Sequence, residues 1–140
     1  MARNNPYRSH CPINYTQEVL GDRWSLLIIR DMLFQNKHYY NEFLKSDEKI
    51  STNILADRLA KLEQNGIINS RWDEQNLSKK IYTLSAKGID LMPILFEMIE
   101  WGMKYNDRTI VPPEFKKQLQ ADKPGFLQLM MQQASKQLLN

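Results

Sequence analysis

The side chains with the clearest chemical use lie between positions 51 and 61: Ser51, Thr52, Asn53, Asp57, Arg58 and Lys61. They are hydrogen-bond donors, acceptors and charges, not an arrangement for catalysis. On a helix spanning Lys49 to Ile67, Leu55, Leu59 and Leu62 recur at i, i+4 and i+7, an apolar stripe at helical period. Asn53, Asp57, Lys61 and Gln64 lie opposite that stripe, with Thr52 and Arg58 on its flanks. Ser51 stands where an N-cap belongs, and Gly66 where a helix stops. Short polar groups at such an N-terminus can bond base edges in a DNA major groove, and basic groups further along can reach phosphates. An ordinary solvated helix has the same two faces, and on this stretch alone that plainer reading is favoured.

Other candidates are sparse. Lys79 and Lys80, with Asn76 and Ser78, are read at the tip of a hairpin, where they could meet a phosphate or the minor groove. Cys11 is the one cysteine, so no internal disulfide framework exists. His10 and His38 are the two histidines; with a single cysteine they form no ligand cluster at useful spacing, so no metal and no cofactor are expected. No catalytic constellation and no glycine-rich phosphate loop appear, which argues against an enzyme.

The elements that must hold these residues follow from the same patterns. Pro12 suits the first position of a helix that carries Ile13, Val19 and Leu20 inward and stops near Gly21, with Cys11 at its N-cap. Asp22 is the expected cap of a second helix, with Trp24, Leu27, Ile28 and Leu33 inward and Arg30 and Asp31 on the wet side. A short helix from Tyr39 to about Lys45 and a polar turn at 46–49 lead into the helix that begins at Ser51, making a helix-turn-helix. After Gly66 the period changes to two. IINSRW at 67–72 and KKIYTL at 79–84, joined by DEQNLS, predict a hairpin.

Ser85 then caps a long helix, running to about Asn106 and bent at Pro93. Its apolar residues cover most of its circumference, too wide a band for one small domain to bury. The expected answer is a homodimer through Leu91, Met92, Leu95, Met98, Ile99 and Trp101. Beyond Pro112 and Pro113, two further helices are expected to fold back on the dimer. The predicted fold is therefore mainly α with a small β-hairpin wing (α+β), a winged helix-turn-helix with added N- and C-terminal dimerisation helices. Residues 1–10 are read as a flexible arm, 11–106 as the winged domain with its dimerisation helix, and 107–140 as a helical extension.

Composition sets the limits. The chain has 140 residues, enough for one domain with a real core. With 25% charged and 42% hydrophobic residues, a folded soluble protein is expected. A net charge of +3 and a pI near 9.0 permit nucleic-acid binding without proving it. No signal peptide or membrane-spanning run is read, so a reducing cytoplasm is the default compartment.

Cys11-Pro12-Ile13, Gly21-Asp22-Arg23-Trp24, the run from Ile50 to Ile67 with Leu-Ala-Asp-Arg-Leu at 55–59, Tyr82-Thr83-Leu84 with Lys87-Gly88, and Trp101-Gly102 together resemble the HxlR-type winged-helix transcriptional regulators of bacteria. The resemblance covers roughly residues 11 to 105, and the order and spacing of the motifs carry it. It implies a dimeric repressor or activator on double-stranded DNA, reading a near-palindromic operator with the helix from 51 and dimerising through the helix from 86. In part of that family the cysteine matched by Cys11 senses electrophiles or oxidants, which implies an oxidant or small-molecule effector here. A helix N-terminus favours a thiolate, so the residues allow this, although a buried structural cysteine is the commoner fate. Two other classes stay open: a winged helix used only for protein association, and a small-molecule-binding protein with a Met- and aromatic-rich core.

Overall fold

The chain runs through α1 (Pro12–Leu20), α2 (Ser25–Phe34), α3 (Tyr40–Phe43) and α4 (Thr52–Gln64), then strands β1 (Ile68–Asp73) and β2 (Asn76–Leu84). It continues through α5 (Ala86–Ile89), α6 (Met92–Tyr105), α7 (Pro113–Ala121) and α8 (Lys123–Lys136), ending in a 3-10 turn at Gln137–Leu139. The computed structural model describes residues 5–139. This is the mainly helical fold with one antiparallel hairpin that the patterns predict.

Local chemistry explains where α4 begins and ends. Ser51 is extended, and its Oγ accepts from the Ile54 amide at 3.4 Å. At the other end the Ile67 amide donates to the Leu62 carbonyl and the Gly66 amide to that of Glu63, at 2.9 and 3.0 Å. These paired bonds need a left-handed residue at Gly66, where φ is +71°. The chain then reverses directly into β1. The hairpin pairs Ile68 with Leu84 and Trp72 with Lys80, then shifts register so that Asp73 faces Asn76. Pairing thus extends further than expected, and the turn shrinks to Glu74 and Gln75.

The long helix expected from Ser85 is two helices. Asp90 ends α5 and Leu91 opens α6, with Pro93 in the first turn of α6. A proline there loses an amide that has no partner anyway, so Pro93 starts a helix and does not bend one. Ser85 Oγ accepts from the Gly88 amide at 3.2 Å and lies 2.9 Å from the Ile67 carbonyl oxygen. Gly88 itself is pressed on β1: an added Cβ would lie 2.4 Å from the Ile67 carbonyl oxygen.

Two apolar clusters share one boundary. The first joins Leu20, Ile28, Ile29, Phe43, Leu55, Leu59, Leu62 and Ile68 beneath α1–α4 and the hairpin. The second joins Met92, Phe96 and Leu119 with Phe115 and Phe126. Phe34 of α2 touches both, its ring centroid 6.2 Å from Phe96 and 5.7 Å from Phe115. The C-terminal helices therefore pack on α6 and α2 of their own chain. Lys123, at the start of α8, pairs with Glu97 and, at 2.5 Å, with Glu100 of α6.

Two inward–outward expectations are corrected. Asp31 is 2% exposed, because Arg30, Lys37 and Ser46 supply the partners that make its burial tolerable. Ile13 is 76% exposed, since nothing among the described residues covers that side of α1. The arm expected over residues 1–10 lies outside the described residues at 1–4. From Asn5 to His10 it lies along α1, with Tyr7 edge-on to Tyr15 at 4.8 Å and the Arg8 amide bonded to Glu18. No helix among the described residues is long and apolar enough to cross a membrane.

Candidate nucleic-acid interface

The burial of Leu55, Leu59 and Leu62 fixes which side of α4 faces out. Ser51, Thr52, Asn53, Ala56, Asp57, Ala60, Lys61 and Gln64 form that solvent face. Ala56 and Ala60 are additions to the expected set. Their spacing between Asn53, Asp57, Lys61 and Gln64 already marks them in the sequence, and their small size lets the helix backbone approach a groove wall closely. The Tyr40 hydroxyl donates to the Thr52 carbonyl at 2.8 Å, tying α3 to the first turn of α4.

The charges on this face are partly committed. Asp57 Oδ2 lies 3.3 Å from Lys61 Nζ, an i,i+4 pair, and 3.3 Å from Arg58 Nη1. Lys61 keeps more than half its side chain in solvent and can leave this pair for a phosphate. Arg58 differs: Nε sits 3.2 Å from Asp22 Oδ2 with only a quarter of the side chain exposed. Arg58, expected among the phosphate contacts, joins α4 to the turn before α2 in this structure, because it flanks the leucine stripe and a carboxylate lies there. Burial alone would push the Asp22 carboxyl up. The Ser25 hydroxyl, the Trp24 and Ser25 amides and Arg58 more than offset this and hold it below the usual carboxylate range.

A second network orients the turn into α4. The Arg30 guanidinium donates twice to Glu48, at 2.7 and 2.8 Å, and also to Asp31. Lys37 Nζ donates to Ser46 Oγ at 3.1 Å, and Ser46 Oγ donates to Asp31. The turn closes with the Lys49 amide on the Ser46 carbonyl and Lys49 at φ +60°. Held by Arg30, the Glu48 carboxyl falls to about 2.

The wing places its lysines along β2, not at the tip. Lys80 stands over the Trp72 ring at 5.2 Å, and Lys79 over Tyr39 at 5.7 Å. Trp72 and Leu77 are exposed beside them, two apolar groups that the charge-based reading of the wing passed over.

The expected dimer residues divide. Met92 and Leu95 are 1% and 6% exposed, and Leu91 and Ile99 are half-buried, all against their own chain. The C-terminal helices and α2 cover that side of α6. Met98 and Trp101 remain outside, 49% and 69% exposed, joined by Ile94 and Tyr105 in a stripe at i, i+4, i+7 and i+11. A shallow apolar groove lined by Pro12, Ile13, Leu20, Leu26 and Ile94 continues the stripe onto α1.

Cys11 is exposed at the N-cap of α1. Its amide bonds to Ser9 Oγ at 3.3 Å, and its carbonyl accepts from Tyr15. His38 is structural, bonded to the Tyr82 carbonyl at 3.0 Å and Asn36 Oδ1 at 2.9 Å. Among the described residues no group of three or more His, Cys, Asp or Glu could hold a metal ion.

A capped, polar-faced helix set by a preceding short helix and followed at once by a hairpin defines a winged helix-turn-helix protein. Residues 19–110 match the HxlR-like helix-turn-helix family, and the chain belongs to that family. It is 33% identical over 98 residues to the HTH-type transcriptional regulator YdeP of Bacillus subtilis, covering 70% of this chain and 76% of that one. The crystal structure of PA1607 superposes with a TM-score of 0.67 at 36% identity, over 74% of this chain and 73% of that one. The reduced form of YodB from B. subtilis matches with a TM-score of 0.57 at 32% identity, over 73% of this chain and all of YodB, which has also been solved with quinone bound. The family is one of transcriptional regulators, and this protein is a DNA-binding transcriptional regulator.

Proposed function

We infer that the protein acts as a homodimer that reads a near-palindromic operator with α4. The observation that carries this is the solvent face of α4: three short polar residues in its first turn, alanines between them and Lys61, and a fully buried stripe behind. Ser51, Thr52 and Asn53 face base edges, Asp57 faces a base edge as an acceptor, and Lys61 and Lys80 meet phosphates. Lys80 leaves the Trp72 ring to do so, and Lys79 meets a phosphate on leaving the Tyr39 ring. Arg58 acts by holding α4 against Asp22. The second copy docks on Ile94, Met98, Trp101 and Tyr105 with Ile13, an apolar stripe left without cover among the described residues. A two-fold dimer places its recognition helices about one helical turn, ~34 Å, apart or a multiple of it.

Cys11 gives the dimer a means of responding to oxidants and electrophiles. Its thiol is accessible, and it sits at the head of α1, beside the apolar groove that continues the docking face. YodB, similar over most of this chain, binds quinone. Modification of Cys11 would shift α1 against the partner and change the separation of the two copies of α4. A chain that regulates transcription in this way works in the cytoplasm.

A gel shift on the protein's own upstream DNA at two salt concentrations tests the central part. Retarded DNA that weakens with salt and requires Asn53 supports it. Equal retardation of unrelated DNA, unchanged in Asn53→Ala, contradicts it.

A further inference from the structure

The structure contains a cavity that the C-terminal extension completes. Its volume is about 420 Å³, within the range of small-molecule sites. One wall is apolar: Met32 and Phe34 from α2, Ile89 from α5 and Met130 from α8. The polar lining comes from Asn69 and Arg71 of β1 and Thr83 of β2, with Asn36 and His38 after α2 and Gln133 of α8. Asn69 pairs with Thr83 in the register, and Arg71 stands two residues on from Asn69, so the hairpin presents these groups together.

The charge balance of the cavity is one-sided. Arg71 is its only charged lining residue, and no Asp or Glu lines it. Among the described residues Arg71 makes no ion pair. Asp73, two residues on along the same face of β1, accepts from the Gln75 amide and the Tyr39 hydroxyl, each at 3.0 Å, and feels the Arg71 charge without forming an ion pair with it. A guanidinium without an ion pair, beside amide and hydroxyl groups and facing a chamber that is apolar over about half of its lining, matches a carboxylate carried on an apolar body.

We propose that this cavity binds a small amphipathic organic anion, a carboxylate on a one- or two-ring or short aliphatic body, as an effector of the protein. The carboxylate pairs with Arg71, and the apolar body lies on Met32, Phe34 and Met130. Such a ligand touches the wing, α2 and α8 at once and so fixes the wing relative to α2 and α8. The binding stands on the cavity alone; its regulatory meaning rests on the DNA-binding function proposed above.

The test uses the full-length protein without DNA and isothermal titration calorimetry with 2-naphthoate, against neutral 2-naphthamide. Saturable binding of one naphthoate per chain is expected. Arg71→Gln should weaken naphthoate at least about tenfold, the scale of a lost charged hydrogen bond, and leave naphthamide unchanged. Ala134→Phe, which narrows the chamber from α8, should remove both. No saturable binding by the wild type, or equal naphthoate affinity in Arg71→Gln, overturns the site. Naphthoate at saturation should also change the affinity for the protein's own upstream DNA at least threefold, and an unchanged affinity overturns the effector role. A protein that binds naphthoate but no DNA would contradict the DNA reading and leave the cavity standing.

Discussion

Arg58 of α4 and Asp22 of the turn before α2 meet at 3.2 Å, an ion pair that joins α4 to the N-terminal end of α2. Asp22 also accepts from the Trp24 and Ser25 amides at 2.9 and 3.0 Å and from Ser25 Oγ, so one carboxylate caps α2 and anchors α4. The placement of Ser51, Thr52 and Asn53 is thus tied to Asp22, a residue outside the solvent face of α4.

Asp22→Ala should lower stability by about 1–2 kcal/mol, the scale of a lost cap. Arg58→Ala should do the same through the same contact, so the double variant should cost clearly less than the sum of the two. Urea unfolding of the four proteins checks this. Strict additivity would separate Arg58 from Asp22 and return it to the phosphate contacts.

Lys61 and Asp57 predict opposite effects on binding. Lys61→Ala should weaken binding to all sequences and reduce the salt slope by about one unit. Asp57→Asn removes an anion from the groove face and releases Lys61, so non-specific binding should strengthen. Fluorescence anisotropy at several salt concentrations reads both. An unchanged slope in Lys61→Ala would take Lys61 off the phosphates.

The uncovered stripe on α6 predicts the seam of the dimer. Trp101→Glu or Met98→Glu would bury an unpaired charge there and should give a folded monomer by light scattering. Leu95→Glu should instead unfold the chain, because Leu95 is already inside it. A wild-type monomer at micromolar concentration would sink the seam.

The Arg30–Glu48 pair predicts an acid limb. The Glu48 carboxyl falls from its ordinary value to about 2 through the Arg30 hydrogen bonds, so its contribution is fully present above that ordinary value. It is lost as pH falls through the folded value, near 2. Glu48→Gln should therefore lower Tm at pH 7, with a gap that narrows from the ordinary carboxylate value downward and closes only near pH 2. Thermal melts across that window check it; a constant difference at all pH values would show that the charge is not what matters.

Cys11 predicts a chemical response. Mild oxidant or quinone should change the DNA affinity of the wild type and leave Cys11→Ser unaffected. Equal responses in both proteins would make Cys11 a surface residue only.

Much of this architecture is legible in local pattern. The leucine stripe, Ser51 as a cap, Gly66 as a stop and the change of period after it locate α4 and the hairpin, because each depends on neighbours within a turn or two. What sequence leaves open is which side of an element is covered, and by what. Met92 and Leu95 look like interface residues until α2 and the C-terminal helices are seen packed on them. Asp31 reads as a wet residue because its partners Lys37 and Ser46 lie outside its own helix. The effector cavity has no local signature, since its walls come from α2, the hairpin, α5 and α8.

The most direct measurement is selection of bound sequences from random DNA by the wild type and by Asn53→Ala. The wild type should enrich a near-palindrome with half-sites about one helical turn apart, and Asn53→Ala should lose preference at one base position in each half, symmetrically placed. No enriched sequence from the wild type, or the same sequence from both proteins, would contradict recognition by the first turn of α4.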